Sequence, residues 1–256
     1  MAHQTSRPVA RHTGPGTLFT QQGIYEESST AKHELGERLC VGDRTFIYSN
    51  AGAAIPGGNL CEQATLGGAT TTLQNTCAVT VAAVAGATKV YVNALSIAQT
   101  ANTFADGYAA IWDATTAGTC FLYRIKSNSA LATSGVTSYI TLYDELHLAL
   151  TTSDQVSLIA NPYKAVVTAT AAAGGGALGV APVDISSGYY FWLQTYGPCA
   201  VYPEAAIDPD EDVVRSDATA GTVCKRASAA EGQRVGYSLH IGTAAESCIV
   251  FLTLRA

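Results

Sequence analysis

Charge is what this sequence has least of. Asp, Glu, Lys and Arg make up 13% of its 256 residues, about half of the ~25% found in an ordinary soluble domain. Clustered basic residues are missing as well: the nearest candidate, Lys225-Arg226, runs straight into Ala and Ser, and the net charge is −6. Nucleic acid binds through lysines and arginines that displace its counterions, so no nucleic-acid partner is expected. Long hydrophobic runs are absent too. The most apolar window, Cys77 to Ala87, is too short to cross a bilayer. The first residues, Met-Ala-His-Gln-Thr-Ser-Arg, offer no apolar stretch of signal-peptide length. Synthesis in a cytoplasm, with no membrane anchoring, is the expectation.

Metal and redox motifs are equally scarce. The seven cysteines, Cys40, Cys61, Cys77, Cys120, Cys199, Cys224 and Cys248, include no C-x-x-C and no zinc-knuckle spacing. Several lie in strand-like runs, so most are expected to act as small buried hydrophobes, and a reducing compartment argues against disulfides. The five histidines form no H-E-x-x-H pair, and no G-x-S-x-G elbow offers a hydrolase nucleophile. No cofactor is called for, and no catalytic, cofactor-binding or metal-ligating residue is assigned.

What the chain has instead is small neutral residues, 43 Ala and 30 Thr among them, with short alternating apolar runs between Gly-bearing turns. A free, dilute protein usually carries more charge than this to resist self-association. The pattern fits a β-rich subunit packed against copies of itself or a scaffold. We therefore expect an all-β fold of antiparallel sandwich or barrel modules with an extended N-terminal arm. Residues 1–34 are the arm, broken by Pro8, Gly14, Pro15 and Gly16; it is either a disordered tail or a segment that orders along a neighbouring subunit. Residues 35–76 hold a hairpin, Leu39–Val41 and Arg44–Tyr48 joined by Gly42-Asp43, that packs with the C-terminal module.

A central β domain is expected over 77–165, with strands at Val90–Val92, Tyr108–Trp112, Cys120–Ile125, Tyr139–Leu142 and Val156–Ile159. Asp144 to Leu150 has room for one or two helical turns. Ala169 to Gly179 reads as a mobile loop, its run of three glycines lacking the Lys-Ser or Lys-Thr of a phosphate loop. The C-terminal module spans 180–256, with strands at Tyr189–Leu193, Val213-Val214, Thr222–Cys224, Val235–His240 and Cys248–Leu252. Tyr189–Leu193 and Cys248–Leu252 are bulky on both faces, so each must be covered on both sides, by a second sheet and by a loop or neighbouring subunit.

Two constellations bear on chemistry. His147 follows Asp144 and Glu145, but Leu146, Leu148 and Leu150 make it a surface turn over a core. His240 is expected as a structural imidazole in a strand. Asp208-Pro209-Asp210-Glu211-Asp212 could offer oxygens to a cation, yet it has Val213 where an EF-hand needs Gly and Thr219 where it needs Glu. The plainer reading is a solvated turn bent by Pro209. Thirteen tyrosines suit sugar or protein contacts.

Two stretches resemble a family of tailed-bacteriophage virion proteins. One comprises Asp106-Gly107-Tyr108 to Gly118, Tyr123–Asn128, Thr141–Asp144 and Asn161-Pro162-Tyr163. The other comprises Gly188–Pro198, Ala220–Val223 and Val235-Gly236-Tyr237. The second is similar to the small β-barrel modules of capsid decoration, or cement, proteins. The resemblance implies a non-enzymatic component of the virion, a homotrimer on the capsid exterior whose partner is the major capsid protein. A tail- or head-fibre module that recognises host glycans is the alternative it leaves open.

Overall fold

In the computed structural model the described residues are 22–64, 74–94, 97–112, 114, 120–171, 175–227, 232–243 and 246–255. The first 21 residues of the expected arm lie outside them. The fold is all-β, antiparallel throughout its strand pairs, with no helix among the described residues. The chain divides into two compact units, 1–64 with 163–256, and 65–162.

Strands are numbered in chain order. The first unit holds β1 (Arg38–Val41), β2 (Arg44–Asn50) and β3 (Leu60–Gln63). The second holds β4 (Gln74–Val81), β5 (Lys89–Val92), β6 (Tyr108–Trp112), β7 (Cys120–Asn128), β8 (Tyr139–Leu142) and β9 (Gln155–Ile159). The chain then returns to the first unit with β10 (Val166–Thr168), β11 (Ala177–Val180), β12 (Tyr190–Val201), β13 (Asp212–Arg215), β14 (Val223–Lys225), β15 (Arg234–Ser238) and β16 (Cys248–Thr253).

The second unit is a closed barrel in the order β4-β5-β8-β7-β6-β9. Alternation builds it. In β6, Ala109 and Ile111 turn inward while Tyr108 and Trp112 face out. Ile111, Ile125, Ile140, Val156 and Phe104 meet in its interior. The helical turns allowed at Asp144–Leu150 do not form: Leu146 and Leu150 are tied in extended geometry to Ala87 and Ala83 by backbone hydrogen bonds.

The first unit is a ten-stranded sheet running β10-β3-β11-β12-β16-β15-β13-β14, with the β1–β2 hairpin added along β12. Gly42 closes that hairpin at φ +63°, a value most side chains avoid. β12 organises the unit: its first half pairs with β2, its second with β16. It runs well past the expected Leu193 because Gly197 and Pro198, normally strand breakers, are accommodated. At Gly197 (φ +84°) an added Cβ would lie 2.4 Å from the Asp43 carbonyl oxygen. Pro198 sits where β2 has ended, so its missing N–H breaks no ladder.

Ala177–Val180, expected within a mobile loop or at its end, is strand β11 instead. Tertiary packing overrides its weak propensity, since a Cβ on Gly179 would come within 2.5 Å of the Gln194 carbonyl oxygen. Residues 172–174 of that stretch lie outside the described residues. His240 is not in a strand either. β15 ends at Ser238, whose Oγ donates to the His240 carbonyl at 2.7 Å, and the residue is exposed in the bend that follows.

Residues 22–41 cover one side of β2 and the first half of β12. Trp192, Tyr48 and Phe46 are buried there beneath Ile24, Leu35, Leu39 and Val41. The His33 ring lies 5.0 Å from that of Tyr48 and 4.8 Å from that of Trp192, and its Nδ1 meets Glu37 at 3.2 Å. The Trp192 Nε1–H donates to the Gln22 carbonyl at 3.0 Å. Replacing Trp192 by Phe keeps the apolar ring but orphans that carbonyl. The expected loss is roughly 1–2 kcal/mol of unfolding free energy, read from urea denaturation.

Candidate interaction face

Of the two covers expected for Cys248–Leu252 in β16, the described residues supply one fully. Its inward residues, Cys248, Val250 and Leu252, are wholly buried with Val213, Val223 and Val235. Its outward residues are not: Ile249 is 46% exposed, and Phe251 is only half-buried. Among the described residues only Tyr196 and Tyr237 pack a ring on Phe251, and Ile249 stays open.

Register assembles a continuous apolar surface around these two. Phe251 stands opposite Pro198 on β12 and Tyr237 on β15, and Ile249 stands opposite Ala200. The Tyr237 and Phe251 rings stack at 5.2 Å with planes 11° apart, while Tyr196 meets Phe251 edge-on at 5.2 Å. Leu239, joined to Ile249 by a backbone hydrogen bond of 2.8 Å, is 43% exposed. β15 can lie this close because residue 236 is Gly: a Cβ there would fall 2.0 Å from the Phe251 carbonyl oxygen.

The charged groups at the margin neutralise one another. Arg234 meets Asp212 at 2.8 Å and Lys225 meets Glu211 at 3.8 Å, both in exposed pairs that contribute little to stability. The acidic run is thereby spent on turn geometry. Glu211 accepts from the Asp208 N–H at 2.9 Å, and Asp210 takes φ +64°. Among the described residues no group of three His, Cys, Asp or Glu side chains is placed to hold a metal ion.

Beside the same strand, a groove of about 530 Å³ is lined by Arg44, Gln194, Pro198, Tyr202 and Asp184 among others. It exposes the flank of β12 that β2 has left. This flank is blunted as an edge: Pro198 has no N–H, and Gln194 Nε2 donates to the carbonyls of Tyr196 (3.2 Å) and Pro198 (2.8 Å). Contact here is therefore through side chains rather than through an added strand.

The structure also separates what the sequence grouped. The His147 N–H donates to the Tyr123 hydroxyl at 3.0 Å and its ring packs 5.3 Å from Phe121, which accounts for it as part of the barrel wall. Sequence reasoning did not name Tyr196, Tyr237 and Phe251 as a site. The legible signal was the bulk on both faces of Cys248–Leu252. No helix among the described residues is long and apolar enough to cross a membrane. Set against family models, curated proteins and solved structures, the chain matches none of them.

Proposed function

We propose that this chain is a structural subunit of a large assembly, and that the face formed by β12, β16 and β15 docks against another subunit. The outward Ile249–Phe251 row carries this reading: in a strand apolar on both faces, the described residues leave Ile249 46% exposed and Phe251 half-buried. Covering a large apolar side chain is worth ~1.5–3 kcal/mol, and stable partners bury about 800 Å² each. With so few charges, such an interface rests on apolar contact and shape.

The resemblance to capsid decoration proteins gives the assembly its proposed identity: a homotrimer on a bacteriophage capsid exterior, clamping major capsid subunits. Contacts available only in the assembled shell would shift its equilibrium toward assembly by mass action. The test is sedimentation of the purified chain. An oligomer that persists when salt rises from about 0.1 to 1 M is expected, because apolar contact is not screened. Ile249→Asp should dissociate it while leaving the melting temperature of the monomer unit unchanged. A wild-type monomer at micromolar concentration in both salts would remove the basis of the proposal.

A further inference from the structure

We infer that the outward face of the barrel along β6 binds a neutral glycan chain. This surface belongs to the other compact unit and does not rest on the docking face above. Tyr108 and Trp112 both point outward from β6, 39% and 48% exposed, with the small Ala110 between them. At about 3.4 Å per residue the two side chains lie roughly 14 Å apart along a straight strand. Among the described residues neither ring touches another aromatic ring. The contrast with Tyr237 and Phe251, whose rings stack on each other, is what separates this surface from a packing ladder.

Ring faces are electron-rich and attract the slightly positive C–H groups of an apolar surface laid across them. A pyranose offers that surface on one side and hydroxyls at its rim. Groups able to meet hydroxyls flank both rings. At the Tyr108 end, Arg124 is its register partner on β7 and pairs with Asp106 at 3.3 Å. The Tyr143 hydroxyl donates to the same carboxylate at 2.9 Å, and the Arg124 guanidinium lies 5.0 Å from the Tyr143 ring centre. Asp106 is held at φ +62°, with its N–H donating to the Ile125 carbonyl at 2.8 Å. A planar guanidinium and a carboxylate fixed side by side can together donate to and accept from vicinal hydroxyls. At the other end, the amide of Gln155 stands opposite Trp112 on β9. The ion pair cancels its own charge, so the surface favours a neutral sugar over a sulfated or sialylated one.

The chain carries its own reporter. It has two tryptophans, and Trp192 is 1% exposed, so a change in emission on binding reports on Trp112. The full chain is titrated with maltohexaose, cellohexaose, and mannose and galactose oligomers of similar length, by fluorescence and by calorimetry. We expect a saturable change with at least one of them in the range of ~0.1–1 mM, unaltered by about 1 M salt. Tyr108→Ala should weaken it ~10-fold or more, as for an anchoring aromatic. Trp112→Phe should abolish the optical signal while calorimetric heat survives. Silence from all four sugars up to ~10 mM overturns the inference. A Trp112 shift that grows with protein concentration in the absence of sugar overturns it too, because a second copy would then be the occupant.

Discussion

Replacing Arg215 by methionine is expected to cost about 3–5 kcal/mol of stability, the loss typical when one partner of a buried ion pair is removed. Arg215 and Glu62 face each other at 2.9 Å with 10% and 4% of their side chains exposed. The guanidinium also binds the Gly175 carbonyl at 2.6 Å, the Thr170 hydroxyl at 2.9 Å and the Thr170 carbonyl through Nε at 3.0 Å. Glu62 accepts the Thr170 N–H at 3.0 Å through its other oxygen. Methionine fills the space of the stem but leaves a buried carboxylate and these carbonyls without their donor. The double variant Glu62→Leu/Arg215→Met should recover part of the loss: no uncompensated charge remains, while the Thr170 N–H and the Thr170 and Gly175 carbonyls still lack these partners. Urea denaturation of the three variants decides the matter. A single-variant cost below ~1 kcal/mol would mean that the pair behaves like one on the surface.

The same pair accounts for a misreading of the sequence. Ala169 to Gly179 looks mobile because Ala and Gly pack little and fix no φ. Yet Ala169 is 1% exposed, and its N–H and carbonyl bond to Leu60 and Gly221. Thr170 and Gly175 are held by Arg215 from a strand forty residues or more away in sequence. No local pattern encodes a tether of that range. Five of the six barrel strands, by contrast, were legible, because a half-buried strand writes its two faces directly into the sequence; β4 was not expected, and β7 runs on to Asn128, past the expected Ile125. Tyr108–Trp112 and Tyr139–Leu142 keep the expected bounds.

β12 shows where such reading stops. Gln194, Gly197 and Pro198 carry no alternation, and their place in a strand follows from an open flank and from the Asp43 backbone lying against Gly197. The candidate face was legible in half. The excess bulk at Cys248–Leu252 could be seen, but not that Pro198 and Tyr237 would stand in register with Phe251. Register between Pro198 and Phe251, on strands far apart in sequence, is a property of the fold. The docking proposal gains its force from this combination: a sequence that demands cover, and a fold that supplies it on one side.

Alkaline conditions should unfold the first unit, and the buried thiols set the window. Burial pushes the Cys61 and Cys199 thiols from 9.0 up to about 12, and it raises Cys248 as well, because a thiolate in this core would lose its hydration. Cys199 lies close enough to both others for each charge to oppose the next. The unfolded chain releases these protons near pH 9 while the folded one keeps them. The folded state therefore holds more protons between pH 9 and about 12. Their contribution is fully present below pH 9 and is lost as pH climbs toward 12, at up to ~1.4 kcal/mol per pH unit for each thiol. Stability measured by urea denaturation at stepped pH should fall across that interval, and Cys199→Ala or Cys61→Ala should flatten the fall. A thiol reagent adds an independent readout. At pH 8 the exposed Cys40 and Cys120 should react at once, while Cys61 and Cys199 should wait for unfolding. Rapid native labelling of Cys61 or Cys199, or stability that stays level from pH 9 to 11, would show that these thiols are not sealed in the core.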